Sequence, residues 1–395
     1  MSQNGFQLGR IFGISINIDW SWVFIFILVM WNLATGVFPS LHPQWSTSLN
    51  WITALVAALL FFASVVAHEL AHSVVAKARG LPVNRIVLFL FGGVSNIERE
   101  PASPQTEFLM AIVGPLTSFV LGIIFLVLGA IGVYLSGGVA GGPLRFLGRL
   151  DPVSTLLLWL GPINLVLAIF NMVPGFPLDG GRVLRSILWA AMHNLQRATR
   201  VASWVGQGVA WIFIGIGVSM IFGIRVPFFG TGFISGLWLA FIGWFLNNAA
   251  VQSYRQSVVE GVLEGIPVQN LMRPNAVSVP PTMPLSTLVY DYFVHTDESA
   301  IPVLEHDRLV GLVSLADAGK VSRGDWHRTT VAQVMTPADK LMVATPREDA
   351  SQALSDLSLR DERQIPVVQE GRLVGMLRRA DILRYLQVHH ELAAR

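Results

Sequence analysis

The stretch FFASVVAHELAHSVVAK, residues 61–77, places three ionisable side chains within five residues of an otherwise apolar run. These side chains are His68, Glu69 and His72. On a helix, residues four apart lie on one face about one turn apart, so the two imidazoles can bind the same metal ion. Ionisable groups in so apolar a helix are costly in lipid, which indicates a functional role for all three.

The spacing also indicates which metal and which chemistry. Imidazole suits zinc, and H-E-x-x-H is the zinc-metalloprotease pattern, in which the glutamate is the general base toward water. The sequence contains no cysteine, so thiolate ligands are excluded and any further ligand must be His, Asp or Glu. A buried polar cluster or a proton path in a transporter gives the same pattern, and this alternative stays open at this point.

The composition divides the chain into two parts. Of 395 residues, 53% are hydrophobic and only 13% are charged. Residues 1–250 contain 12 Lys and Arg and 7 Asp and Glu, whereas residues 251–395 contain the remaining 15 and 18. We therefore expect a membrane domain over 1–250, a linker at 251–266 and a soluble part after it. Because no basic face or aromatic-basic interleaving occurs, we expect no nucleic-acid partner.

Apolar runs predict six membrane-spanning helices in the first part. They cover residues 20–38, 51–76, 108–135, 153–172, 201–222 and 233–247. Alternating apolar and polar residues predict β-hairpins at 6–18 and at 83–98, the second joined at Gly92–Gly93. The expected fold class is a polytopic α-helical membrane protein with short membrane-associated β elements, followed by a cytoplasmic α/β module.

Basic residues in the links between helices predict the orientation. The second and fourth links are rich in Lys and Arg, whereas the first, third and fifth hold only Arg145, Arg149 and Arg225. This pattern predicts a multi-pass protein of the cell membrane with both termini in the cytoplasm. Arg182, in the fourth link, is expected to face the cytoplasm; pairing with a neighbouring carboxylate is the alternative.

The soluble part contains an internal repeat. AIPVLEHDRLVGLVSLAD at 300–317 matches QIPVVQEGRLVGMLRRAD at 364–381. The two units, 267–328 and 329–390, each read as strand, helix, strand, strand, helix. A pair of such units is expected to share one core and to leave symmetry-related clefts.

A second motif, FNMVPGFPLDGGR at residues 170–182, ends a predicted helix with two prolines and three glycines. These residues forbid a continuous helix and place Asp179 on irregular backbone. Together with the His68 to His72 motif in an earlier span, it resembles the site-2 protease family of intramembrane zinc metalloproteases. The resemblance implies that Asp179 is the third zinc ligand beside the two histidines and that Glu69 is the catalytic base. It also implies a substrate cut within or near a transmembrane segment in the lipid bilayer.

Two further features bear on the substrate. Gly161-Pro162-Ile163-Asn164 resembles the family segment whose asparagine lies near the scissile carbonyl. Asn164 is therefore a candidate donor to the developing oxyanion, with an interhelical hydrogen bond as the alternative. The edge of the 83–98 hairpin is expected to receive an unwound substrate segment as an added strand; a surface loop is the alternative.

The repeat resembles a tandem pair of cystathionine-β-synthase (CBS) domains. Such domains often bind adenosine nucleotides through a Ser or Thr and an Asp after the last strand, which implies ATP or AMP as a regulatory ligand. The first repeat offers Ser314 and Asp317, whereas the second has Arg378 at the hydroxyl position and retains Asp381. Helix capping is the alternative role for both aspartates. CBS pairs commonly dimerise, so a homodimer or higher oligomer is expected.

Two other classes of function remain to be weighed. A CBS-gated ion channel or transporter would use His68 and Glu69 as a proton path, and it predicts ion flux without stoichiometric zinc. A zinc-bound scaffold would bind membrane partners without cutting them. The first class gives no role to Asp179, and the complete ligand set argues against the second.

Overall fold

The computed structural model describes residues 5–90, 92–97, 101–135, 150–227, 230–296, 298–359 and 362–393. The chain divides into two compact units, Met1–Arg255 and Gln256–Arg395. The glycine-rich link at 137–149, with Arg145 and Arg149 of the predicted charge pattern, lies outside the described residues.

The first unit combines a small sheet with seven helices among its described residues. The strands are β1 (Gly5–Ile11), β2 (Ile14–Asp19), β3 (Val83–Phe89) and β4 (Gly92–Ile97), in the order β1-β2-β3-β4. The helices are α1 (Trp20–Leu41), α2 (Thr47–Ala78), α3 (Pro104–Leu135), α4 (Pro152–Asn171), α5 (Asp179–Met192), α6 (Leu195–Ile221) and α7 (Phe233–Leu263), the last of which continues past the end of this unit at Arg255.

All of these helices except α5 are long and apolar enough to cross a membrane, which gives six spans among the described residues. The six predicted spans are thus confirmed, with ends that differ by a few residues. The largest difference is at α7, which continues to Leu263 where the sequence predicts a linker from residue 251. Residues 248–260 contain no Gly or Pro, so a change to polar composition does not end the helix there.

Local side chains define where several spans begin. Asp19 caps α1 by accepting a hydrogen bond of 2.9 Å from the backbone N–H of Ser21. Ser46 caps α2, and Asp151 caps α4 with Pro152 at its first helical position. Such residues satisfy N–H groups that the helix itself leaves without partners.

Helices α3 and α4 approach each other closely at two glycines. A Cβ added at Gly122 would lie 3.0 Å from the carbonyl oxygen of Gly161, and one added at Gly161 would lie 3.2 Å from that of Gly122. Small residues allow this approach of two backbones in a membrane. The contact holds α3 directly against α4.

The strands form one sheet from two hairpins. The β1–β2 hairpin lies where it was predicted, and β3 and β4 are antiparallel. The second hairpin does not turn at the predicted Gly92–Gly93, because Gly92 pairs with Phe89 and Gly93 with Leu88 in the β3–β4 ladder. The sequence did not predict that β2 pairs in parallel with β3, which joins the two hairpins.

The second unit carries the two repeats. Its strands are β5 (Arg273–Pro274), β6 (Ala300–Glu305), β7 (Arg308–Ser314), β8 (Thr336–Pro337), β9 (Gln364–Gln369) and β10 (Arg372–Arg378). Its helices are α8 (Leu285–Thr287, continued by a π-helical turn at Leu288–Phe293), α9 (Leu315–Gly319), α10 (Ala350–Leu359) and α11 (Arg379–Ala393). Each repeat therefore has the predicted order of strand, helix, strand, strand, helix.

The repeats exchange their first strands. β5 of the first repeat pairs with β10 of the second, and β8 of the second pairs with β7 of the first. Two buried apolar side chains before β5, Val268 and Leu271, lie in the same core cluster as Val367 and Leu377 of the second repeat. The two repeats thus share a sheet and part of a core.

Candidate metal centre

Three possible ligand groups of the first unit converge on one point. Nε2 of His68 lies 3.0 Å from Oδ2 of Asp179, and Nε2 of His72 lies 3.3 Å from the same oxygen. The two Nε2 atoms are 3.2 Å apart. Each residue therefore offers one ligand atom within 4.8 Å of the others, and both histidines are almost fully buried. The structure brings together residues that are 111 positions apart in the sequence.

The outer nitrogens of the imidazoles are held by α3. Nδ1 of His72 lies 2.5 Å from the carbonyl oxygen of Met110, and Nδ1 of His68 lies 2.9 Å from Oγ of Ser118. A carbonyl only accepts, so Nδ1 of His72 carries the hydrogen and the lone pair is on Nε2. Contacts of this kind fix the orientation of metal-binding imidazoles. Neither partner could be predicted from the sequence, because a backbone carbonyl and a single serine form no recognisable motif.

The space in front of the ligand atoms depends on Gly114 of α3. A Cβ at this position would lie 2.7 Å from Nε2 of His68 and closer still to that of His72. Two imidazoles and one carboxylate are a donor set that zinc takes at catalytic sites, where a further position remains open. Both the donor atoms and the space kept by the glycine therefore fit a zinc ion.

Asp179 is not on irregular backbone, as the sequence predicted, but is the first residue of α5. The glycines after it do not break the helix. They allow its first turn to lie against the preceding loop, since a Cβ at Gly181 would be only 2.7 Å from the carbonyl oxygen of Gly175. A carboxylate in the first turn is also favoured by the helix dipole. The break that was predicted is confined to residues 172–178, between α4 and α5.

Glu69 follows His68 on α2 and is held by strand β4. Oγ of Ser95 lies 3.0 Å from Oε2 of Glu69 and 3.3 Å from its backbone carbonyl oxygen. Gly93 of the same strand is so near that an added Cβ would lie 3.0 Å from Cδ of Glu69. The position of this carboxylate is thus defined by β4, which is the last strand of its sheet.

Asn164 is completely buried in α4. Its Nδ2 donates a hydrogen bond of 2.9 Å to the carbonyl oxygen of Leu160, one turn earlier in the same helix. This hydrogen bond lies within α4, so it is not the interhelical hydrogen bond that was considered as the alternative. Oδ1 accepts no hydrogen bond from any described residue. Since Nδ2 has two hydrogens, one remains for another acceptor.

A buried ion pair between α3 and α5 was not predicted from the sequence. Glu107 of α3 has no exposed surface, and its Oε1 accepts a hydrogen bond of 2.6 Å from Nε of Arg185 in α5. Nε of Arg182 lies 4.0 Å from the same oxygen, which agrees with the pairing considered for this residue. Its expected position on the cytoplasmic side stays a prediction. One signal was available, because Glu107 is among only 7 acidic residues in positions 1–250.

The first repeat of the second unit presents Ser314 and Asp317 at the start of α9. Ser314 is the N-cap, and its hydroxyl donates to Oδ2 of Asp317 at 2.6 Å. Nζ of Lys320 lies 2.7 Å from the other carboxylate oxygen. Burial opposes ionisation, but the hydrogen bonds from Lys320 and Ser314 hold the pKa of Asp317 below its ordinary value. The capping role considered for Asp317 is therefore present in the structure.

The corresponding position of the second repeat is occupied by arginines. Arg378 donates from Nε to Oδ2 of Asp381 at 2.8 Å, and Nη2 of Arg273 lies 3.2 Å from Oδ1. Nη1 of Arg378 also lies 3.2 Å from Oε1 of Glu298 in the first repeat. Burial again opposes ionisation, but the two guanidinium groups lower the pKa of Asp381. The two repeats thus present different chemistry at equivalent positions.

The sequence matches two known families. Peptidase family M50 matches residues 56–215, and the CBS domain matches residues 268–322 and 331–388. The chain is 35% identical over 389 residues to "Putative zinc metalloprotease sll0528" of Synechocystis sp., which covers 97% of this chain and 96% of that protein. It is 30% identical over 339 residues to "Zinc metalloprotease MJ0392" of Methanocaldococcus jannaschii, with 86% and 87% covered.

A solved structure, the site-2 protease from Methanocaldococcus jannaschii, is also similar at 27% identity. It covers 64% of this chain and 95% of the other, with a TM-score of 0.40. The alignments with the two sequence relatives cover 96% and 87% of those proteins, and the M50 match includes His68, His72 and Glu69. The chain therefore belongs to peptidase family M50, the site-2 protease family of zinc metalloproteases, and carries a tandem pair of CBS domains.

Proposed function

We propose that this zinc metalloprotease hydrolyses a peptide bond within or near a transmembrane segment of a membrane-protein substrate. One observation carries the proposal. The two buried histidines are on α2, whose 32 residues are long and apolar enough to span a membrane. A peptide bond can reach these residues only if that part of the substrate chain lies in or beside the lipid. A transmembrane segment meets this condition.

The ligand groups and the base have separate roles in this proposal. His68, His72 and Asp179 would hold the zinc. When bound, zinc supplies a Lewis acid that lowers the pKa of water to about 7. Glu69, oriented by Ser95, takes a proton from the attacking water and delivers it to the leaving amine.

Asn164 is proposed to donate to the carbonyl oxygen of the scissile bond as negative charge develops there. The supporting observation is that Leu160 uses only one of the two amide hydrogens. Burial of the amide away from water would strengthen such a contact.

The decisive experiment for the proposed function compares wild type with Glu69→Gln on a model transmembrane substrate. The amide cannot accept the proton but keeps the shape of the side chain, so we expect zinc to remain bound while cleavage falls to background. Ion flux in proteoliposomes should stay at background for both proteins. Cleavage at the wild-type rate by the variant would contradict the role of Glu69. Flux that requires Glu69 would instead support the channel or transporter alternative.

A substrate segment is proposed to bind at the free edge of β4. A peptide bond in a helix is shielded by its own hydrogen bonds, so the segment must unwind and can then pair as an added strand. Among the described residues β4 has a sheet partner on one side only, β3. Its residues Gly93 and Ser95 lie against Glu69, so a strand added there would lie near the base.

Backbone substitution tests this binding mode. Proline at Val94 removes an N–H and interrupts strand pairing; if about three hydrogen bonds of roughly 1 kcal/mol are lost, kcat/KM should fall about 100-fold. Val94→Ala is the matched control and should cleave like wild type. Normal cleavage by Val94→Pro, in a variant that melts like wild type, would exclude pairing at this edge.

We further propose that the CBS pair binds one adenosine nucleotide, ATP or AMP, which regulates cleavage. Ser314 and Asp317 provide the hydroxyl and carboxylate at the first repeat, where capping and binding are compatible because a carboxylate accepts several hydrogen bonds. At the second repeat, Arg378 and Arg273 already engage Asp381. We therefore expect one nucleotide per chain at most.

Calorimetry on the full chain in detergent tests this stoichiometry. We expect one site in wild type, and Asp317→Ala should abolish it while Asp381→Ala leaves it. Cleavage rates with and without nucleotide, up to millimolar concentration, test the regulation. A binding site that survives Asp317→Ala would refute the assignment to the first repeat.

The proposal includes a location and an assembly. Both termini and the CBS pair are proposed to be cytoplasmic, and the CBS pair is proposed to form a homodimer or higher oligomer. Because the chain has no cysteine, single cysteines introduced at Gly9 and at Gln44 can be labelled from either side of the membrane without background. Gly9 should react from the cytoplasm and Gln44 from outside. Native mass spectrometry of the full chain measures the oligomer.

A further inference from the structure

The buried pair of Glu107 and Arg185 is an unusual feature of the first unit. Glu107 has no exposed surface, Arg185 is 6% exposed, and both Nε and Nη2 of the guanidinium contact Oε1 of the carboxylate. Removing two charges from water is costly, so a buried ion pair of this kind is weak evidence that it is there to stabilise the fold. The pair links helix α3 with helix α5, and this link suggests its role.

Arg185 connects α3 with the segment that carries Asp179. Arg185 is six positions after Asp179 in α5, about 9 Å along the axis at 1.5 Å per residue. Its guanidinium lies 5.4 Å from the centre of the ring of Phe176, which is in the loop before α5. Asp179 therefore lies, in the sequence, between Phe176 and Arg185, whose side chains are in contact with each other.

Helix α3 also orients the other two ligands. Met110 and Ser118 contact the outer nitrogens of His72 and His68, and Gly114 lies against their inner nitrogens. Through Glu107, the same helix reaches α5 by way of Arg185. One helix thus contacts both histidine ligands and the helix that begins at the carboxylate ligand.

We propose that Glu107 and Arg185 are positioning residues that set the place of Asp179 relative to the two histidines. Neither residue is proposed to touch the metal or the substrate. The ion pair would orient the carboxylate ligand, just as Met110 and Ser118 orient the two imidazoles through their outer nitrogens. Its loss should therefore weaken metal binding even when the protein remains folded.

The test measures zinc affinity by competition with a chelator on the full chain in detergent. Glu107→Gln, which removes the charge and keeps the shape, should weaken zinc binding about 10- to 100-fold, as expected for outer contacts of a metal site. Cobalt substituted for zinc should show an altered absorption spectrum in the same variant. Arg185→Lys, which keeps the charge but has a single nitrogen donor group, should give a smaller loss.

Two controls separate positioning from folding. Arg200→Met removes an exposed arginine that also connects two helices, since its Nε in α6 lies 3.0 Å from the Tyr254 hydroxyl in α7, so it should leave zinc affinity and the cobalt spectrum unchanged. If Glu107→Gln does not accumulate, the double variant Glu107→Gln with Arg185→Gln avoids an unpaired buried charge and receives the same measurements. Wild-type zinc affinity with a wild-type cobalt spectrum, in either variant, would overturn the proposal.

Discussion

Gly93→Ala should inactivate the enzyme without removing its metal. The added Cβ would lie 3.0 Å from Cδ of Glu69 and nearer to Cγ, whereas carbon atoms pack best at about 3.5–4.0 Å. The carboxylate must then move by about 1 Å, and misplacement of a reacting group by that distance can cost about 100-fold in rate. The backbone itself should gain, since Ala in a strand is favoured over Gly by roughly 0.5–1 kcal/mol.

The assay is kcat for a model transmembrane substrate, with zinc content and melting temperature measured on the same samples. We expect kcat to fall about 100-fold, one zinc to be retained and the melting temperature to be equal or higher. Gly9→Ala is the control, because this strand residue of the same sheet has open space where a Cβ would be added. Wild-type kcat or loss of zinc in Gly93→Ala would refute the reasoning.

Three other predictions concern the metal and the CBS pair. Gly114→Ala should abolish zinc binding, because its Cβ would lie 2.7 Å from Nε2 of His68, and metal analysis of the purified variant checks this. Removal of zinc with a chelator should stop cleavage, and added zinc should restore it at the wild-type rate; cleavage by a verified zinc-free sample would contradict this. Because the pKa of Asp381 is lowered in the folded state, its network stabilises the second unit above the ordinary pKa of 3.8. Hydrogen-exchange protection of β10 should therefore fall as the pH drops below about 4, and Asp381→Asn should reduce this dependence.

Much of the metal centre was predictable because its chemistry follows helical spacing. His68 and His72 are four positions apart on one apolar helix, and that spacing alone predicts that their side chains share a face. Asp179 was predicted as the third ligand only through the family resemblance, and its local structure was wrongly predicted. Prolines and glycines predict a break, but they do not tell whether a helix resumes at Asp179, which depends on how closely Gly181 can approach Gly175.

Contacts between distant segments could not be predicted in the same way. The parallel pairing of β2 with β3 joins residues about 70 positions apart and has no turn residues to mark it. The ion pair of Glu107 and Arg185 spans 78 positions, and no spacing rule applies over that distance. The domain limits of 1–250, 251–266, 267–328 and 329–390 also stay a prediction.

The exchange of β5 and β8 between the CBS repeats has a consequence for the history of the chain. Deleting either copy would take away a strand that the other copy uses to complete its sheet. The shortest viable deletion in this region therefore removes both copies together. We expect relatives of this enzyme to carry the module as an even number of repeats or to lack it entirely.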